Sequence, residues 1–228
     1  MMNKHKEGGT VKVLLICDDI WHPAEVIERG LETMDREDME FDFVKTAKDI
    51  LSKEFVSRYG VIVNCSGNSV NAANTNPWFE PGVTEFGPEE FRDYVAQGGG
   101  LVVIHSGLTI GGPRGPVPVY TEVAGAYFVN HPPREMTRVS VTARNELTEG
   151  VSDFSERDEH YQIEITAPDI QPFLKTESEH GGVTVSGYTR FFGKGRVAAL
   201  TPGHTLAVWE NPNFRQLVKN AIRWVTAG

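Results

Sequence analysis

Short apolar runs alternate with amphipathic stretches along the first half of this chain. The runs are rich in valine, isoleucine and leucine and span three to six residues, which is typical of strands buried in a parallel sheet. The stretches between them carry apolar residues at helical spacing. The predicted strands lie at 11–16, 41–44, 61–63 and 101–104, and the predicted helices at 24–34, 47–57 and 88–98. This alternation predicts an α/β fold built from right-handed strand–helix–strand units.

The second half of the chain is richer in strand patterns and ends in one amphipathic helix. Strands are predicted at 139–142, 161–166, 183–188 and 197–200, and the helix at 213–225. A loop rich in asparagine, proline and glycine fills 67–87, and long loops of this kind are usually functional or mobile. No linker or repeat divides the chain. We therefore expect a disordered polar tail over 1–10 and a single domain over 11–228, folded as a three-layer sandwich around a mainly parallel sheet.

Charge and cysteine content narrow the classes of partner. The 228 residues carry a formal net charge of −9, which argues against binding to nucleic acid or to an anionic membrane. The N-terminal residues are polar, and no apolar stretch behind them has the length of a signal peptide or membrane span. Two cysteines, Cys17 and Cys65, each follow an apolar run and are interpreted as buried thiols in a cytoplasmic protein. Cys65 can also be read as a nucleophile, but no basic neighbour in the sequence lowers its pKa.

Polar side chains follow several predicted strands at the point where each strand ends. His22 follows the first strand, His105 and Ser106 follow the fourth, and His204 follows the last. In open parallel sheets, ligands bind at the carboxyl ends of the strands. Imidazole is a common metal ligand and also a base near neutral pH. The sequence therefore predicts a metal site or an acid–base site at this edge of the sheet.

The segment from Asp158 to Tyr161 can add a carboxylate to this site. If a strand begins here, Asp158 and Glu159 point to opposite faces, so only one of them can reach the pocket. Tyr161 then lies on the same face as Glu159 and can donate a hydrogen bond. The alternative is a solvated carboxylate paired with Arg157.

Five motifs stand in order along nearly the whole chain. They are GGGLVVIHSG at 98–107, NHPP at 130–133, LTEGVSDFSERDEHYQ at 147–162, FFGKGRVAALTPGH at 191–204 and NPNFRQLVKNAIRWV at 211–225. Together they resemble the trehalose-utilisation (ThuA-like) family over roughly residues 11–226. The first motif also resembles the strand-to-helix elbow of the class I glutamine amidotransferase-like superfamily, with His105 at the position of the amidotransferase cysteine.

The resemblance implies a class I glutamine amidotransferase-like, flavodoxin-like fold. Because His105 replaces the nucleophile, it implies no glutamine amidotransferase activity. Some members are linked to the metabolism of oxidised sugars, notably 3-keto-glycosides, so it implies a small carbohydrate substrate. It also favours Glu159 over Asp158 as the site carboxylate. His160 and the loop 107–119 depart from the family pattern, so trehalose itself is not the expected substrate.

The expected catalytic centre is a divalent metal ion held by His105, Glu159 and His204. A metal there would polarise a carbonyl or hydroxyl group, and a remaining histidine or carboxylate would move the proton. Imidazole and carboxylate ligands do not distinguish zinc, manganese, iron or nickel.

Further residues near the strand ends are expected to bind substrate. These are Trp21, His22, Ser106, His131 and Tyr161. The aromatic pair Trp21 and His22 can form a wall on which a sugar ring stacks, or a hydrophobic staple for the next helix. His131 can lie in the pocket or complement a helix terminus.

The first hypothesis is an enzyme of carbohydrate metabolism that acts on a keto-sugar or glycoside derivative by isomerase or lyase/hydrolase-type chemistry. The second is a non-catalytic sugar-binding protein or an oligomeric subunit that keeps the fold without the chemistry, since fold alone does not specify function. A homo-oligomer is left open under both hypotheses.

Overall fold

The computed structural model describes residues 10–32, 34, 38–45, 47–67, 79–80, 82–112 and 115–227. Most of the predicted tail and more than half of the predicted loop at 67–87 lie outside this range, so the expectations of disorder and mobility there stay predictions.

The described strands and helices follow in chain order. The strands are β1 (Val11–Ile16), β2 (Met39–Val44), β3 (Val61–Asn64), β4 (Gly100–Ile104), β5 (Gly111–Gly112), β6 (Gly115–Pro116), β7 (Ala126–Asn130), β8 (Glu135–Val141), β9 (Phe154–Asp158), β10 (Gln162–Ile165), β11 (Gln171–Ser178), β12 (Gly182–Phe192) and β13 (Gly195–Leu200). The helices are α1 (Ala24–Glu32), α2 (Ala47–Ile50), α3 (Lys53–Val56), α4 (Pro88–Ala96), α5 (Pro118–Ala124), α6 (Leu206–Glu210) and α7 (Pro212–Thr226).

The central sheet is mixed, and this corrects the prediction of a mainly parallel sheet. Its strand order is β2-β1-β3-β4-β13-β12-β11-β8-β9. The five strands from β2 to β13 pair in parallel, in the flavodoxin-like order. From β13 to β9 every pairing is antiparallel. The apolar runs of the first half identified four of the five parallel strands, whereas the antiparallel extension comes from more polar strands.

Helices cover both faces of the sheet and give three layers. One core contains α1, α6 and α7, where Phe214, Leu217 and Ile222 of α7 are fully buried. The opposite core contains α4 and α5, with Phe91 and Val95 buried against the sheet. Fully burying one such side chain contributes about 1.5–3 kcal/mol. The apolar face predicted for the C-terminal helix therefore packs against the sheet as expected.

Two local predictions need correction. The predicted helix at 47–57 is two short helices, and α3 begins after Ser52, whose side chain accepts a hydrogen bond from the backbone of Phe55. The predicted strand at 161–166 starts one residue later, so Tyr161 lies in the connection between β9 and β10. None of the described helices has both the length and the apolar character needed to cross a membrane.

Candidate functional site

A sharp elbow places His105 at the carboxyl end of β4. His105 opens a 3₁₀ turn with a φ of 47°, a left-handed conformation that costs a non-glycine residue roughly 1–3 kcal/mol. Its Nδ1 donates to the carbonyl oxygen of Thr201 at 2.7 Å. Because a carbonyl only accepts, the proton is on Nδ1 and the lone pair of Nε2 faces the site.

Four side chains converge beside this elbow: His22, His105, Glu159 and His204. One potential ligand atom from each lies within 4.8 Å of those of the others. Oε2 of Glu159 is 3.0 Å from Nδ1 of His204 and 3.4 Å from Nε2 of His105. The His22 ring lies 5.0 Å from the His105 ring and 4.9 Å from the His204 ring, measured between centroids. The structure thus brings the three predicted metal ligands together and adds a third imidazole.

Asp19 sets the orientation of His22. Its Oδ1 lies 2.7 Å from Nδ1 of His22 and also accepts the backbone N–H of His22 at 3.0 Å. Its Oδ2 accepts the backbone N–H of Gly67 at 2.7 Å. Burial raises the pKa of Asp19, but these hydrogen bonds outweigh it and lower the pKa overall. A carboxylate that fixes an imidazole from behind is the usual support of a histidine ligand.

Asp158 supports the loop that carries His204. The side chain is buried. Its Oδ2 accepts the backbone N–H of Gly203 at 2.9 Å, and its Oδ1 accepts those of His204 at 3.0 Å and Thr205 at 3.1 Å. Burial raises the pKa of Asp158 to about 6, against the opposing effect of these donors. Asp158 therefore faces the loop, whereas Glu159 faces the histidines.

Two ring nitrogens of the cluster have no hydrogen-bond partner among the described residues. They are Nε2 of His105 and Nδ1 of His204, and both are buried. Glu159 lies close to each of them, but neither contact has hydrogen-bond geometry. A buried polar atom without a partner is costly, and a metal ion would satisfy both nitrogens at once. The donor atoms present therefore fit a divalent metal.

The protonation states also suit a metal. Burial lowers the pKa of His105 to about 4, so the imidazole is neutral at pH 7, which is its ligand form. Burial raises the pKa of Glu159, but its interactions with His105 and His204 outweigh burial and the net pKa is lowered. The carboxylate is therefore ionised. Three imidazoles and one carboxylate fit zinc, manganese, iron or nickel.

Tyr161 and His131 lie at the edge of the cluster. The Tyr161 ring stacks on His105 at a centroid distance of 3.8 Å, and its hydroxyl lies 3.5 Å from Nε2 of His22. Burial raises the pKa of Tyr161 well above its ordinary value, so the phenol keeps its proton. Nε2 of His131 is 3.5 Å from Oε2 of Glu159, and the His131 side chain is 34% exposed. Of the site histidines, His131 is the most open to solvent.

The remaining predicted substrate residues lie differently from what their sequence positions suggest. The structure separates the predicted aromatic pair, because His22 turns into the cluster while Trp21 is 61% exposed. The hydroxyl of Ser106 donates to the carbonyl oxygen of Cys65 and so holds the ends of β3 and β4 together. Glu159 and Tyr161 share a connection rather than a strand face.

Three functional candidates were missed or misread from the sequence. His22 was predicted to bind substrate and not metal. The aspartate three residues before it is a signal that the imidazole is held in one orientation. Asp19 was not predicted to belong to the site. Asp158 was considered only as an alternative to Glu159, whereas in the structure its side chain hydrogen-bonds to the loop that carries His204.

The two cysteines are buried and free. Burial raises the pKa of Cys17 to about 12 and that of Cys65 well above its ordinary value. Both thiols are therefore protonated at neutral pH and are poor nucleophiles.

Replacing Cys65 by serine should leave any turnover largely unchanged. The buried hydroxyl would lower the free energy of unfolding by about 1–3 kcal/mol, because it would replace a weakly polar thiol without an assured partner. Steady-state kinetics and chemical denaturation measure the two effects separately. Complete loss of turnover in a folded variant would restore a thiol mechanism.

The buried, neutral His105 contributes to the pH dependence of the free energy of unfolding. Its folded pKa of about 4 lies below the ordinary 6.5, so its stabilising effect is complete above pH 6.5 and is lost as the pH falls towards 4. The folded pKa of Asp158 is raised from 3.8 to about 6, so Asp158 adds stability as the pH falls through nearly the same range. The two effects largely cancel in the wild type.

His105→Gln removes one of these opposing effects in the metal-free protein. The free energy of unfolding of the variant, relative to the wild type, should therefore increase by about 2–3 kcal/mol between pH 7.5 and pH 4.5. Urea denaturation at a series of pH values measures this difference. A difference that stays constant with pH would contradict the assignment of a neutral buried imidazole.

A family model described as trehalose utilisation matches residues 12–225. The chain belongs to the trehalose-utilisation family. Membership confirms the resemblance predicted from the five motifs and implies a role in carbohydrate metabolism. No curated protein matches the chain.

Solved structures share the fold of this trehalose-utilisation family member. A ThuA-like protein from Parabacteroides merdae is 16% identical with a TM-score of 0.74, over 96% of this chain and 91% of that one. A cytoplasmic protein from Salmonella typhimurium is 14% identical with a TM-score of 0.64, over 94% of this chain and 99% of that one. A β-galactosidase from Bacillus circulans is 16% identical with a TM-score of 0.60, over 94% of this chain but 31% of that one. At these identities the likeness shows the fold alone.

Proposed function

We propose that this protein is a cytoplasmic, metal-assisted enzyme that acts on a keto-sugar or glycoside derivative. The observation that carries the proposal is the convergence of three imidazoles and one carboxylate, with two buried ring nitrogens that lack hydrogen-bond partners among the described residues. Membership of the trehalose-utilisation family supports a carbohydrate substrate. The structural neighbour from Salmonella typhimurium is a cytoplasmic protein, which supports the proposed compartment.

His22, His105, His204 and Glu159 would hold the metal. When bound, a divalent metal supplies Lewis acidity that polarises a carbonyl or hydroxyl oxygen. The protein orients the ligands from behind: Asp19 fixes His22, and the carbonyl of Thr201 fixes the tautomer of His105. This arrangement presents lone pairs rather than N–H groups to the centre of the cluster.

Proton movement is better assigned to His131 than to Glu159. Efficient general bases have a pKa near the working pH, and the pKa of Glu159 is lowered, so its carboxylate is a weak base. Nε2 of His131 lies 3.5 Å from that carboxylate and is accessible from solvent. His131 can therefore take or return a substrate proton, as isomerase or lyase-type chemistry requires. The protonated hydroxyl of Tyr161 can donate to a substrate oxygen.

Metal analysis and a substrate screen together test the proposal. The purified protein, reconstituted with zinc, manganese, iron or nickel, should hold about one ion per chain by elemental analysis. The loaded protein should then convert at least one oxidised glycoside in a panel that includes 3-keto-glucosides and their unoxidised parents. Sub-stoichiometric metal with every ion would overturn the metal centre. Stoichiometric metal with binding but no turnover would favour the sugar-binding hypothesis instead.

A further inference from the structure

We propose that Asp158 is a positioning residue that fixes His204 and Glu159 relative to each other, a role that rests on the proposed metal site. Glu159 follows Asp158 directly in the chain, whereas His204 is 46 residues away. One buried carboxylate therefore joins the backbones that carry two of the four candidate ligands.

Three hydrogen bonds join the side chain of Asp158 to one loop. Its two oxygens accept three successive backbone N–H groups, from Gly203, His204 and Thr205, at 2.9–3.1 Å. Hydrogen bonds to an ionised acceptor are roughly twice as strong as neutral ones. Three converging amides form a nest that suits an anion, and here the side chain of Asp158 is that anion.

The loop packs closely against the elbow at His105. Gly203 has a φ of 140°, and a Cβ atom there would lie 3.2 Å from Cβ of His105. The carbonyl oxygen of Gly203 also accepts a hydrogen bond from Nε1 of Trp209 at 2.7 Å. The loop is therefore held from two directions, and a loss of the Asp158 contacts would change the placement of His204 against His105.

Two variants of Asp158 should weaken its hydrogen bonds to the loop to different degrees. Asp158→Asn keeps the shape and one acceptor oxygen, but its amide group would oppose at least one backbone N–H. Asp158→Ser leaves only a short neutral acceptor. Asp153→Asn is the matched control, because Asp153 also accepts a backbone N–H, that of Val141 at 2.9 Å, but lies outside the cluster.

Nuclear magnetic resonance of the metal-free protein gives the first measurement. The ring signals of His204, assigned with a His204→Gln variant, should shift or broaden in both Asp158 variants and stay unchanged in Asp153→Asn. Unaltered His204 signals in the Asp158 variants would overturn the proposal, whether or not the protein binds metal.

Metal affinity gives the second measurement. Chelator competition with Zn²⁺ should show a loss of about 10-fold for Asp158→Asn and about 100-fold for Asp158→Ser, the range typical of groups that support metal ligands. The visible spectrum of the Co²⁺ form should change in these variants and not in Asp153→Asn.

The outcomes separate this proposal from the proposed function. A wild type that binds no metal would remove the proposed function, and the His204 signals would still decide the positioning role. Lower melting temperatures with unchanged metal affinity and Co²⁺ spectrum would make Asp158 a purely structural residue and overturn the proposal. Failure of both Asp158 variants to fold would have the same meaning.

Discussion

His105→Ala is expected to remove the bound metal almost completely. His105 supplies a neutral, fully buried nitrogen whose tautomer is fixed by Thr201, so no other side chain can take its position. We expect metal affinity to fall by more than about 100-fold, beyond the 10- to 100-fold typical for groups that only support ligands. His204→Ala and His22→Ala should behave in the same way. Elemental analysis after dialysis, with circular dichroism to confirm folding, measures the effect.

The matched control for these variants is His180→Ala. His180 is exposed and pairs with Glu135 at 2.8 Å, in a second group of acidic and histidine side chains that shares no residue with the four-ligand cluster. Its replacement should leave the metal content unchanged. Full retention of metal in His105→Ala and His204→Ala would show that the cluster is not the metal site. Equal loss in His180→Ala would move the site to the second group.

The parallel half of the fold was predictable because burial on both faces leaves a local signature. The runs at Val11–Ile16 and Gly100–Ile104 are apolar almost without interruption, and their burial is nearly complete. The antiparallel extension has no such signature. The strand Gln171–Ser178 contains a proline, a lysine and two glutamine or glutamate residues, and its place depends on pairing with strands that are distant in sequence. Local patterns do not encode such partners, so the mixed sheet was missed.

The candidate site was predictable to the extent that sheet topology determines it. His105 and His204 end adjacent parallel strands, so a parallel sheet alone brings them together. The position of His22 depends on the turn of the loop after β1, and Asp19 stabilises that turn. Asp158 and Glu159 have separate roles because Asp158 binds the loop from Gly203 to Thr205. That loop is distant from β9 in the sequence and meets it only in the folded chain. Alternation along a strand predicted that the two carboxylates point apart, but Glu159 lies in the connection after β9, and no local pattern assigned a partner to Asp158.

His131→Ala is expected to abolish most of the turnover while leaving the metal in place. The His131 ring lies beside Glu159 but outside the group of four potential ligands, so its loss removes no metal-binding atom. General acid–base catalysis by one side chain typically contributes about 10²- to 10⁴-fold, and we expect kcat to fall by that amount with the metal content unchanged. Kinetics on the oxidised glycoside identified in the screen, with elemental analysis of the same samples, measure both quantities.

Added imidazole distinguishes a lost proton carrier from a distorted site. Because His131 is partly exposed, its replacement leaves a space open to solvent, and free imidazole should restore part of the kcat of His131→Ala without affecting His105→Ala. The rescue should increase with the concentration of unprotonated imidazole, since that form accepts the substrate proton. A variant that retains both metal and wild-type kcat would show that His131 moves no proton. Proton transfer would then fall to Glu159, in spite of its lowered pKa, or to Tyr161.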